Sequence, residues 1–311
     1  MALEGGVRQL NLESEPEMLA LSEVASAMGA TAHVAQRVNP DADARTHHKI
    51  ATGRKDNKFG IPIERAPMLY AQIARLSGLK AVGIDVHIGS QVTTLEPFEA
   101  AFSMVADLAQ RLRSEGHAIE KLDLGGGLGV AYDGAAAKPP SVAEYGAMIK
   151  RTVGHLGLEI VIEPGQLIAA NAGLLVASVT YEKAGADRDF LILDAAMNDL
   201  LSTTMYEAHH DLVTLNGAGP EREVTEYDAV GPVCETGDTF ARSRVMAKLR
   251  AGDLVAFRSA GAYGAVMASQ YNTRPLVPVV LVDACRFSVN RRRPSLEDML
   301  ALEMAPTSLP Q

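Results

Sequence analysis

The sequence predicts an α/β chain: a parallel sheet covered by helices, followed by a mainly antiparallel β domain. Three observations carry this expectation. From residue 7 to about residue 170, short apolar runs alternate with stretches whose apolar residues recur at three and four. The apolar runs are nearly continuous, as in strands buried on both faces. Beyond residue 173 the texture changes to strand-like runs joined by Gly- and Asp-rich turns.

Taken in order, the expected strands are "VRQLNL", "AHVAQRV", "KAVGIDVHI", "KLDLGGG" and "LEIVIEP". Between them, "PEMLALSEVASAM" and "PFEAAFSMVADLAQRL" have helical spacing, and Pro16 and Pro97 fall in first turns, where proline is tolerated. The β domain is expected from "LLVASVTYEKAGADRDFLILDAA", "REVTEYDAVGP" and "DLVAFRSAGAY". The boundary falls near residues 170–175, dividing 1–172 from 173–311. Five strands suit either an open sheet or a barrel lacking three units, at about 30 residues per unit. Periodicity is compatible with both.

Composition excludes several classes. A net charge of -9 over 311 residues repels polyanions, so neither nucleic acid nor an anionic membrane is an expected partner. Arg291, Arg292 and Arg293 form the dense basic run and read as a solvated segment. Cys234 and Cys285 are too few for a disulfide framework. No apolar run reaches membrane-span length, "MALEGGVRQLNL" lacks a signal-peptide layout, and the chain reads as cytoplasmic. No metal-ligand pattern is assigned.

In parallel α/β domains ligands gather at the carboxyl ends of strands. His87 and Ser90 follow "VGIDV", Gly125, Gly126 and Gly127 follow "KLDL", and Glu163 follows "EIVI". Consecutive glycines let backbone N–H groups approach an anion, although a tight turn needs them equally. A strand-end histidine is commonly a bonded core residue, and a terminal carboxylate is commonly paired. Their coincidence at successive strand ends is the signal. In the β domain, Cys234 and Glu235 share the turn-flanked "GPVCETGD", as a packed cysteine or as an exposed thiol beside a carboxylate that grips an ammonium. Tyr263 lies on the small-residue turn "SAGAYG". Cys285 reads as a packing residue.

Together, "VNPDADARTHHKIATGRKDNKFGI", "GIDVHIGSQ", "LDLGGGLG", "EPG", "DAAMNDL", "GPVCETGDTFAR" and "RSAGAYGAVMASQYNTRP" resemble the diaminopimelate decarboxylase family, pyridoxal-phosphate enzymes built from a barrel and a β domain. The resemblance implies a partial (β/α)8 barrel of the later five strands, followed by the β domain. It implies pyridoxal 5'-phosphate as cofactor and decarboxylation of meso-diaminopimelate to L-lysine. His87 would stack on the cofactor ring, and Ser90 with Gly125, Gly126 and Gly127 would hold the phosphate. Glu163 would pair with the pyridine nitrogen and keep it protonated, which favours decarboxylation over the racemisation of relatives that place arginine there. Cys234 would return a proton, and Glu235 would recognise the distal amino group. In the family both reach across a homodimer interface. Tyr263 would contact phosphate and substrate, Tyr206 substrate, while His209 and His210 would be surface or packing residues.

The chain also departs from the family pattern. The family's Schiff-base lysine lies on the first barrel strand, a segment without a counterpart here, and Lys49, Lys55 and Lys58 do not stand in that context. The expectation is therefore the later part of a longer chain, with two unpaired sheet edges. Gln166 and Ser202 occupy or adjoin positions where the family has arginines for substrate carboxylate and phosphate. Two alternatives follow. One is a catalytically silent homologue that pairs with a full-length subunit; the other is a decarboxylase of another basic amino acid.

Overall fold

The computed structural model describes residues 1–42, 52–53, 57–132, 138–215, 222–301 and 303. They divide into two units: Met1–Ala131 with Ala135–Ile168, and Ala169–Gln311 with Tyr132–Gly134.

The first unit runs β1 (Leu10–Leu12), α1 (Glu15–Ala27), β2 (Ala32–Asn39), β3 (Ile61–Pro62), α2 (Ala66–Ile73), β4 (Leu79–Asp85), α3 (Glu96–Ser114), β5 (Lys121–Asp123), α4 (Val142–Val153), β6 (Glu159–Val161) and the short α5 (Gln166–Ala169). The sheet order is β1-β2-β4-β5-β6, with β3 beside β2, and the pairings are parallel. Helix starts follow local chemistry. The Ser14 hydroxyl accepts from Glu17 N–H at the head of α1, and Ser141 and Glu144 form a capping box on α4. On α3, Phe98, Ala101, Phe102, Val105, Ala109 and Leu112 form one buried stripe, and Phe98 meets Tyr145 of α4 edge-on at 5.1 Å.

A hydrogen bond reveals the sheet's curvature. Asn11 Nδ2 on β1 donates to Asp123 Oδ2 on β5 at 3.1 Å, although β2 and β4 lie between those strands in the sheet. Strand spacing would put them about 14 Å apart in a flat sheet. The sheet therefore curls, bringing side chains of non-adjacent strands together as an arc of a barrel. All five expected strands are present.

The last strand departs from expectation. "LEIVI" reads as a buried segment, yet Ile162 is 48% exposed and Ile160 half-buried. Among the described residues β6 pairs with β5 alone, so one flank has no neighbour to cover it.

The second unit runs β7 (Leu175–Ala184), β8 (Asp189–Leu193), α6 (Ser202–Tyr206), β9 (Leu212–Thr214), β10 (Val224–Val230), β11 (Thr239–Ala247), β12 (Leu254–Phe257), β13 (Val279–Asp283), β14 (Arg286–Arg291) and α7 (Leu296–Leu300). Its sheet order is β11-β10-β8-β7-β12-β9, antiparallel except for β8 with β10. Leu191, Leu193, Tyr227, Phe240, Val255 and Phe257 form its core, and the Phe240 and Phe257 rings stand 4.6 Å apart. The β13–β14 hairpin is a separate ribbon whose Phe287 is 76% exposed. Cys285 sits in its turn and is exposed, which corrects the packing role expected for it. A two-residue reversal leaves a thiol no interior to enter. No helix among the described residues is long and apolar enough to cross a membrane.

Candidate active site

Three strand ends of the first unit are knitted into one cluster. Beyond β4, the His87 carbonyl accepts from Thr52 Oγ1 at 3.0 Å and from Arg37 Nη2 at 3.4 Å. The His87 ring accepts the Gly126 N–H on Nδ1 at 3.1 Å, which places the ring proton on Nε2. Beyond β5, Gly125 N–H donates to Asp123 Oδ1 at 3.2 Å, and its carbonyl accepts from Glu163 N–H at 2.8 Å. His87, the glycine turn and Glu163 are thus brought side by side through the backbone.

The glycines work differently from the expected phosphate cradle. Of the three N–H groups, those of Gly125 and Gly126 are already engaged by Asp123 and His87. What the positions require is the absence of a side chain. A Cβ at Gly125 would lie 2.6 Å from the Val86 carbonyl oxygen. At Gly126 it would collide with the Glu163 carbonyl, and at Gly127 with that of Gly89. Gly125 and Gly127 also have φ of 63° and 97°, where glycine alone is comfortable. The three residues let neighbouring strand ends touch.

Beneath the cluster lies a buried polar layer that the strand-end motifs do not announce. Arg37 Nη1 meets Glu13 Oε1 at 2.7 Å, and Arg37 Nε stands 3.9 Å from Asp85 Oδ2. Burial and then Asp123 push the Asp85 carboxyl up to about 8, against a smaller opposing effect of Arg37. Burial and the Arg37 charge push His87 down to about 4, so its imidazole is neutral at ordinary pH. Glu163 is exposed on one side. Partial burial and then Asp123 raise its carboxyl, against a smaller opposing effect of Arg37. It makes no ion pair among the described residues. Ser90 is half-buried three residues beyond His87, and Gln166 is half-buried at the start of α5. Lys58 Nζ lies 5.1 Å from the Phe59 ring centroid, while Lys49 and Lys55 fall outside the described residues.

In the second unit, Cys234 and Glu235 are exposed on the turn between β10 and β11. The buried Asp238 carboxylate holds that turn, accepting Val233 N–H at 2.7 Å and Met197 N–H at 2.6 Å. Glu235 Oε2 accepts the Tyr271 hydroxyl at 3.0 Å. Tyr263 is exposed at φ 55°, and Tyr206 is half-buried at the end of α6. Ser202 behaves otherwise than expected. It is buried and shares a hydrogen bond with His210 Nε2 at 2.8 Å, while His210 Nδ1 meets the Arg258 carbonyl at 2.9 Å. Its hydroxyl is committed to this chain and is not presented to a substrate. His210 is a packing residue, as expected, and His209 is exposed.

Sequence reasoning missed Arg37, Asp85, Asp238 and Tyr271. Arg37 and Asp85 had a readable signal, being charges inside otherwise apolar strands. Asp238 and Tyr271 had none, because Met197 lies 41 residues from Asp238 and Glu235 lies 36 from Tyr271.

A family model described as pyridoxal-dependent decarboxylase, pyridoxal binding domain, matches residues 1–170. The diaminopimelate decarboxylase of Zymomonas mobilis is 48% identical over 299 residues, covering 96% of this chain and 70% of that protein. That of Pseudomonas aeruginosa is 47% identical over 304 residues, covering 97% and 72%. The crystal structure of the Helicobacter pylori enzyme complexed with L-lysine superposes with a TM-score of 0.92 at 37% identity, covering 97% of this chain and 74% of that one. The chain therefore belongs to the diaminopimelate decarboxylase family of pyridoxal-dependent decarboxylases.

The strand-end residues fit such a cofactor. A neutral imidazole is available for an aromatic face, and Glu163 is an acidic group without an ion pair among the described residues. The glycine turn lets the His87 and Glu163 strand ends meet, since a Cβ at Gly126 would collide with the Glu163 carbonyl.

Proposed function

We propose that this chain carries the cofactor- and substrate-facing residues, other than the family's Schiff-base lysine, for pyridoxal-phosphate-dependent decarboxylation of meso-diaminopimelate to L-lysine. One observation carries the reading: Glu163, without an ion pair among the described residues, is tied by its backbone to the turn that orients a neutral His87. When bound, pyridoxal phosphate supplies a protonated ring that takes up the electron pair left as CO2 departs. Glu163 holds the proton at the ring nitrogen. His87 offers its face to the ring, and a neutral imidazole does so without repelling that proton. Ser90 and the Gly127 N–H take the phosphate, with Gln166 and Tyr263 beside it. Cys234 delivers a proton to the substrate carbon, and Glu235 binds the distal ammonium, with Tyr206 against the substrate.

Replacing Glu163 with glutamine tests this. Glutamine cannot stabilise the ring proton electrostatically, so CO2 release is expected to fall by about a hundredfold or more, ~2.7 kcal/mol in barrier. Release at the unsubstituted rate would overturn the reading.

A second reading, decarboxylation of another basic amino acid, is favoured by the uncharged Gln166 and the inward-turned Ser202. Each missing charged hydrogen bond costs about 1.5–3 kcal/mol toward a second substrate carboxylate. A panel of diaminopimelate, lysine, ornithine and arginine with CO2 detection separates the two. We also propose a cytoplasmic protein that assembles with a second copy or a full-length homologue. The exposed apolar hairpin β13–β14 supports assembly, and sedimentation tests it.

A further inference from the structure

Glu235 is an exposed carboxylate on a turn, the kind of group that ordinarily samples many rotamers and discriminates poorly. Here it does not swing freely. Its backbone is pinned on both sides: Glu235 N–H donates to the Val233 carbonyl at 2.8 Å, and its own carbonyl accepts Asp238 N–H at 3.0 Å. Its carboxylate takes the Tyr271 hydroxyl on Oε2, which leaves Oε1 to face a cation.

Tyr271 is itself held by an unusual segment. Asn272 and Thr273, immediately after it, have φ of 55° and 57°. For a β-branched threonine that is a strained conformation, one that persists only where the surroundings impose it. The surroundings are visible. Ser269 N–H donates to the Asn198 carbonyl at 3.0 Å, and Asn198 Nδ2 returns a bond to the Ser269 carbonyl at 2.8 Å. Beyond the turn, Arg274 donates to the Asp194 carbonyl and stands 3.7 Å from Asp199 Oδ2. The segment is clamped at both ends, and its kink delivers the phenol to Glu235.

We propose that Tyr271 is a positioning residue that sets the preference of Glu235 for a ligand bearing a distal ammonium group. This rests on the reading of Glu235 given above. The hydroxyl fixes one carboxylate oxygen, so the other meets the ammonium without first losing rotamer freedom. The same bond raises the Tyr271 phenol above the ordinary tyrosine range, with Glu235 as the cause.

The test uses the full chain with pyridoxal phosphate, binding of L-lysine and L-norleucine by calorimetry, and titration of carbon-13-labelled tyrosine rings. In the unsubstituted chain the Tyr271 ring titrates above the ordinary range, and Glu235→Gln returns it there. Tyr271→Phe weakens L-lysine binding by about three- to tenfold and leaves L-norleucine unchanged. Lysine binding that is lost in Glu235→Gln but intact in Tyr271→Phe overturns the role of Tyr271 alone. So does an ordinary Tyr271 titration in the unsubstituted chain. An unsubstituted chain without preference for lysine, or a preference that survives Glu235→Gln, overturns the reading of Glu235 and this one with it.

Discussion

At the scale of single residues, backbone contacts decide what the side chains can do. His87 accepts a hydrogen bond from Gly126 N–H, so it is neutral and carries its proton on Nε2. Gly126 has no room for a side chain beside the Glu163 carbonyl. Gly126→Ala is therefore expected to push the β5 and β6 ends apart and to release the His87 ring. Overpacking of this kind costs about 1–3 kcal/mol, readable as a lower denaturation midpoint with an unchanged slope. An alanine as stable as glycine at that position would contradict the close approach. Ser202 offers the complementary case. Because its hydroxyl serves His210 inside the chain, Ser202→Ala should lower stability by about 1–3 kcal/mol through the unsatisfied imidazole. Its effect on substrate affinity should be small, and calorimetric binding beside a melting curve distinguishes the two.

Elements owe their existence to local signals and their exact placement to packing. Helix α3 has Pro97 in its first turn and carries a buried stripe with helical period, which the sequence displays directly. Phe98 on that stripe is fully buried against Phe102 and Tyr145. Phe98→Ala is expected to cost about 3–5 kcal/mol, since transfer and cavity terms add in a close-packed layer. The capping box on α4 is worth less. Ser141→Ala should cost about 1 kcal/mol, because water replaces part of an exposed cap. Equal effects of the two substitutions on thermal stability would refute this ranking. The strand β6 shows the limit of local reading. Its apolar run signals a strand correctly, but whether that strand is covered depends on a neighbour outside its own sequence.

At the scale of the whole molecule, the buried charges of the first unit make stability depend on pH in a definite direction. The folded protein holds the Asp85 proton up to about 8, far above an unfolded aspartate near 3.9. Its contribution is complete below the unfolded value and is lost as pH rises through the folded one. His87 acts in the opposite sense: its value near 4 lies below an unfolded histidine, so stability is lost as pH falls from about 6.5 toward 4. Only Asp85 of the two acts between pH 6.5 and 8. The melting temperature should therefore decline across that interval, and Asp85→Asn should flatten it. A flat profile in the unsubstituted chain would contradict the burial of Asp85 as an acid.

The sequence by itself determined the alternation of strand and helix, the change of texture near residue 173, and the strand-end positions of His87, the glycines and Glu163. These follow from periodicity and turn chemistry, which act over a few residues. Tertiary structure alone decided the curl that joins Asn11 to Asp123, the burial that raises Asp85, and the inward turn of Ser202 onto His210. It also decided the meeting of Tyr271 with Glu235 across 36 residues. Such contacts depend on which distant segments are brought together, and desolvation depends on what covers a group, so no local pattern encodes either.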